Sequence, residues 1–92
     1  MPNTTTGSLT SASVGTSAAS VLAPNVNRQS IELIAHPDNT ARVFFNLWGT
    51  ATTSSIPLDP GASFSVDVAP IPSGAVSAIA ASGTQVLFVI EG

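Results

Sequence analysis

Ser63-Phe64-Ser65-Val66-Asp67-Val68 alternates without a break: Phe64, Val66 and Val68 fall on one side, and Ser63, Ser65 and Asp67 on the other. Successive side chains of a β-strand point to opposite faces, so this period of two predicts a strand with one face in a core and one in water. Just upstream, Asp59-Pro60-Gly61 is a turn signal, with Pro suited to the first central position and Gly to the positive φ of the second. Pro70-Ile71-Pro72-Ser73-Gly74 punctuates the chain again downstream.

Further strands are expected at residues 20–23, 29–35, 42–48, 75–81 and 85–91. Within 29–35, Ile31, Leu33 and Ala35 share one face, and Ser30, Glu32, Ile34 and His36 continue the other. The turn Pro37-Asp38-Asn39-Thr40 predicts that 29–35 and 42–48 form a hairpin, and Ser82-Gly83-Thr84 joins the last two strands. No stretch repeats apolar residues at i, i+3, i+4 and i+7 over two turns, so no helix is expected. The resulting fold class is all-β: a small antiparallel β-sandwich or barrel-like fold of about seven short strands. Residues 1–13, rich in Thr, Ser, Asn and Gly, read as an extended polar arm, and residues 14–92 as one sandwich domain.

Composition narrows the function classes. Only 8% of the 92 residues are charged, 43% are hydrophobic and the mean hydropathy is +0.41. The cations are Arg28 and Arg42; the acids are Glu32, Asp38, Asp59, Asp67 and Glu91, for a net charge of −3. Binding a phosphate backbone requires several clustered cations, so neither a nucleic acid nor an anionic membrane surface is an expected partner. No apolar run is long enough to cross a membrane. The N-terminus lacks the basic and apolar regions of a signal peptide, so synthesis in the cytoplasm is expected. Cysteine is absent, which removes disulfides and thiolate metal sites.

No catalytic set emerges. The single imidazole, His36, stands at a strand end, and no Gly-x-Ser-x-Gly elbow singles out one hydroxyl as a nucleophile. Asp38 and Asp59 sit in turn tetrapeptides, where carboxylates bond local backbone. One His and scattered acids supply no local metal-ligand cluster. Gly49-Thr50-Ala51-Thr52-Thr53-Ser54-Ser55 lacks the Gly-Lys-Ser/Thr ending of a phosphate loop and reads as a polar linker. Catalytic residues, cofactor and metal are therefore all expected to be none, and Trp48 is expected to cap the core.

The strands that break the alternation carry the functional expectation. Phe44 and Trp48 lie opposite Val43, Phe45 and Leu47; Leu87 and Val89 lie opposite Val86, Phe88 and Ile90. A strand apolar on both sides is covered twice within its own fold or half covered by another chain. Ile34, Phe44, Trp48, Leu87 and Val89 are accordingly expected at a subunit interface. Leu9 of the arm, Arg28 and Arg42 join them at the interface, the two arginines pairing locally with Glu32 or a neighbouring carboxylate. A homo-oligomer follows, with a trimer the favoured state.

Three stretches occur in an order with a likeness elsewhere: Leu22-Ala23-Pro24-Asn25-Val26-Asn27-Arg28; Gly49-Thr50-Ala51-Thr52 through Ile56-Pro57-Leu58-Asp59-Pro60-Gly61-Ala62-Ser63; and Ala75-Val76-Ser77-Ala78-Ile79-Ala80-Ala81-Ser82-Gly83-Thr84. The order resembles small β-sandwich virion proteins of tailed bacteriophages, over residues 14–92, through turn and strand wording and not through catalytic residues. The resemblance implies a non-enzymatic structural role on a virion assembled in the host cytoplasm. A capsid decoration or cement protein would bind the outer shell and stabilise the head, with itself and a major capsid protein as partners. The alternative it implies is a module of a head fibre, neck or tail fibre; read from its residues as a binding module, the chain would use Trp48 and nearby hydroxyls to hold carbohydrate on the host surface.

Overall fold

Phe64 and Val66 do face a core. The computed structural model describes residues 8–67 and 71–92. They form β1 (Ser8–Val14), β2 (Ala19–Leu22), β3 (Ile31–Ala35), β4 (Val43–Asn46), β5 (Ile56–Leu58), β6 (Ser63–Val66), β7 (Val76–Ala80) and β8 (Gln85–Glu91), with no helix among the described residues. A front sheet has the order β1-β8-β3-β6, a back sheet β2-β7-β4-β5, and every pairing is antiparallel. The all-β sandwich expected from the alternation is the fold; it has eight strands rather than seven. Val68 of the opening stretch lies outside the described residues.

The core is what the two inner faces bury against each other. Ile31, Leu33, Ala35, Leu87 and Val89 come from the front sheet; Val43, Phe45, Leu47, Val76, Ala78 and Ala80 come from the back. Phe45 is the largest side chain in it. It lies beside Ala78 in the back sheet and meets Phe64 of the front sheet with ring centroids 5.1 Å apart at 48°. Small residues beside a large one let the layers interdigitate at close-packed density.

Turn chemistry fixes the strand ends. Ala62 N–H donates to the Asp59 carbonyl at 2.8 Å, and Gly61 has φ +83°, as the Pro-Gly signal demands. Gly83 likewise takes φ +61° in the short β7–β8 connection.

Three expectations are corrected. Residues 29–35 and 42–48 do not form a hairpin: β3 belongs to the front sheet and β4 to the back, so the 36–42 segment crosses the sandwich. Among the described strands only β4–β5 is a hairpin, and the other six connections join strands of different sheets. The same turn residues serve both geometries, and the sequence alone does not separate them. Residues 8–13, read as part of the arm, belong instead to a strand: Ser8–Val14 pairs with β8 through seven consecutive positions. Residues 1–7 lie outside the description.

The third correction inverts β8. Leu87 and Val89, expected at an interface, are fully buried core, and Val86, Phe88 and Ile90 face outward. The physical reason lies in the polar residues that share the inner parity. Gln85, 3% exposed, accepts the Thr40 N–H at Oε1 (2.9 Å) and donates from Nε2 to the Ser82 carbonyl (2.8 Å) and Thr40 Oγ1 (3.3 Å). Glu91 accepts from Arg28 Nε at 2.7 Å. Satisfied this way, both ends of the strand can turn inward without stranding a polar group.

Candidate interaction surface

Alternation puts every second residue of the front sheet outside, and the registers align them in rows. Leu9, Ile90, Glu32 and Ser65 form one; Ser11, Phe88, Ile34 and Ser63 the next. Ser13, Val86 and His36 follow, His36 N–H donating to the Val86 carbonyl at 3.1 Å. An apolar strip therefore runs along β8 through Val86, Phe88 and Ile90. It is flanked by Ile34 on β3 and Leu9 on β1, with the His36 ring 5.6 Å from that of Phe88. The outer strands contribute serines, and Glu32 is the one charge in these rows. An apolar centre with a hydroxyl rim is the layout of a protein–protein contact patch.

The back sheet's outer face is separate. Phe44, Ile79 and Pro57 form a row there, with Asn46 and Ser77 beside it. Ile34 and Phe44, expected on one face, thus lie on opposite sides of the molecule. Trp48, expected as a core cap, is 72% exposed; Leu47 takes the buried place next to it. Of the residues singled out from sequence, Leu9 and Ile34 come together on the front, Phe44 and Trp48 belong to the back, and Leu87 and Val89 are interior.

Trp48 stands over an open cleft of about 750 Å³ at one end of the back sheet, lined also by Ser20, Leu47, Gly49, Ser73, Gly74 and Ser77. Both walls are held by side chains. Asn46 accepts the Trp48 N–H at 2.8 Å and donates to the Thr50 carbonyl at 3.4 Å. Opposite, Arg28 Nη1 donates to the carbonyls of Pro72 (2.6 Å) and Gly74 (3.1 Å), and Nη2 donates to that of Ala23 (2.9 Å). No charged side chain among the described residues lines the cleft.

The two arginines each pair with a carboxylate, as expected, but only Arg42 does so at the surface. Arg28 is a buried pin whose side chain is inaccessible, joining Glu91 and the 23–28 and 72–74 segments; it presents nothing to a partner and does not pair with Glu32. Arg42 is exposed and pairs with Asp59 at 2.6 Å.

His36 Nδ1 accepts the Asp38 N–H at 3.0 Å, and no hydroxyl among the described residues is hydrogen-bonded to the ring. No three His, Asp or Glu side chains among the described residues gather to hold a metal ion. No buried side-chain polar atom among them is left without a partner.

Sequence reading missed Val86, Phe88 and Ile90 as surface residues because both parities of β8 are apolar. The available signal was Arg28, whose guanidinium needs a carboxylate if buried, and Glu91 shares its parity with Leu87 and Val89. No protein-family profile, curated protein or solved structure matches the chain.

Proposed function

We propose that the chain is a non-enzymatic virion structural protein of the capsid decoration or cement kind, docking on a shell protein through the outer face of its front sheet. The observation that carries this reading is the strip of Leu9, Ile34, Val86, Phe88 and Ile90, rimmed by serines, on a chain with very little charge. Contiguous apolar surface of this kind is a site of association in a soluble protein. Covering roughly 200 Å² of it would contribute on the order of 5 kcal/mol before the costs of association. The resemblance of residues 14–92 to phage sandwich proteins supplies the choice of partner: a major capsid or other virion protein.

The test uses phage particles from the genome that encodes the chain. Mass spectrometry and antibody-labelled electron microscopy are expected to find it in many copies on the head. Its absence from purified virions contradicts the proposal, and label confined to fibres or neck moves it to the alternative module.

A second reading, host-carbohydrate binding by a fibre or neck module, is favoured by the uncharged cleft under exposed Trp48. An aromatic face beside hydroxyls suits a neutral sugar, whose C–H face stacks while its hydroxyls hydrogen-bond. Trp48 is the single Trp, so its fluorescence reports directly on occupancy of the cleft by neutral oligosaccharides.

A further inference from the structure

Four strands end the two sheets, and three of them are blunted. β2 carries a register shift between Ser20 and Leu22. β5 is three residues long with Pro57 at its centre, and β6 is four residues followed by Asp67. Bulges, proline, brevity and charge are the devices by which sheets avoid edge-to-edge pairing. β1 has none of them: Ser8-Leu9-Thr10-Ser11-Ala12-Ser13-Val14 runs seven residues in unbroken register on β8, without charge or proline.

The direction of its free amides follows from a bond two strands away. His36 N–H donates to the Val86 carbonyl, so Val86, Phe88 and Ile90 turn their backbone groups toward β3. Alternation in an antiparallel ladder then turns those of Gln85, Leu87, Val89 and Glu91 toward β1, where they meet Val14, Ala12, Thr10 and Ser8. Leu9, Ser11 and Ser13 are left with N–H and C=O aimed at the open side. These three positions are spaced symmetrically about Ser11.

We infer that β1 pairs antiparallel with β1 of a second copy about a two-fold axis at Ser11. In that register Ser11 meets Ser11 of the other copy and Leu9 meets Ser13 in both directions, so three donors and three acceptors per copy close six backbone hydrogen bonds. The front sheets fuse into one, and the two apolar strips lie on the same side of the dimer. An isologous contact closes on itself, which ends the pairing at two copies. A seven-residue edge is smaller than a standard stable interface, so the dimer forms at the weak, concentration-dependent end of the range. This inference concerns self-pairing and does not depend on the virion reading.

The chain has no cysteine, so one introduced thiol is a unique probe of register. Directly opposed residues in a hydrogen-bonded pair have Cα atoms about 5.5 Å apart, within the range a disulfide spans, whereas residues 13 of the two copies would be roughly 14 Å apart. Sedimentation of the unmodified chain from about 1 µM to about 1 mM is expected to show a monomer–dimer equilibrium. Mild oxidation is expected to convert Ser11→Cys to a covalent dimer, with yield at least tenfold above that of Ser13→Cys. A chain that stays monomeric throughout, or a Ser13→Cys variant that cross-links as readily as Ser11→Cys, overturns the inference.

Discussion

The two faces of β8 are built from nearly the same residue types and do different things. Leu87 and Val89 are sealed in the core between polar ends, Gln85 and Glu91, that are satisfied by Thr40, Ser82 and Arg28. Val86, Phe88 and Ile90 are partly covered by their sheet neighbours, Val86 also by the Asn39 side chain and Phe88 by the His36 ring. Hydrophobicity does not tell these faces apart; the hydrogen bonds that let the polar ends turn inward do. The inner face holds the fold, and the outer face is the one proposed to meet a partner.

Substitutions sharpen that contrast in a graded series. Arg28→Ala strips Glu91 of its counter-charge and leaves the carbonyls of Ala23, Pro72 and Gly74 without their donor, at a cost of about 3–5 kcal/mol read from denaturant unfolding. The exposed Arg42–Asp59 pair has nearly the same length, yet Arg42→Ala should cost about 1 kcal/mol or less. A large loss from Arg42→Ala would mean that separation rather than burial sets an ion pair's worth here.

Leu87→Ala opens a cavity between the sheets and should cost about 2–5 kcal/mol, lowering the thermal midpoint by roughly 10 °C or more. Phe88→Ser, one residue on, gives up contact with the His36 ring and sheet neighbours only, and should cost about 1 kcal/mol. Equal losses at the two positions would break the division of β8 into a folding face and a docking face. The smallest effect is expected from salt: between about 0.05 and 0.5 M the Debye length shortens severalfold, yet attachment through the front strip should scarcely change. Release of most copies from the particle at moderate salt would transfer attention to the acidic residues.

Much of the fold is legible in the sequence wherever one parity is polar. The alternation at Ser63–Val66 and the Pro60-Gly61 turn both appear as read. What the sequence hides is decided at long range. The inward turn of Glu91 depends on Arg28, and that of Gln85 on Thr40, neither of them nearby in the chain. Sheet membership is hidden for a similar reason: the His36–Asn39 turn does not reveal that β4 continues in the other sheet. The surface is correspondingly half legible. Leu9 and Ile34 are on the front as outward residues, but the strip between them is hidden because Val86, Phe88 and Ile90 look as apolar as Leu87 and Val89.

The most direct test of the docking face is the occupancy of phage heads by the Phe88→Ser, Ile90→Ser double variant, compared with the unmodified chain after confirming by circular dichroism that both are folded. Occupancy is expected to fall at least tenfold, the equivalent of about 1.4 kcal/mol or more of lost contact. Full occupancy by the folded double variant would contradict the assignment of the front strip as the surface that meets the partner.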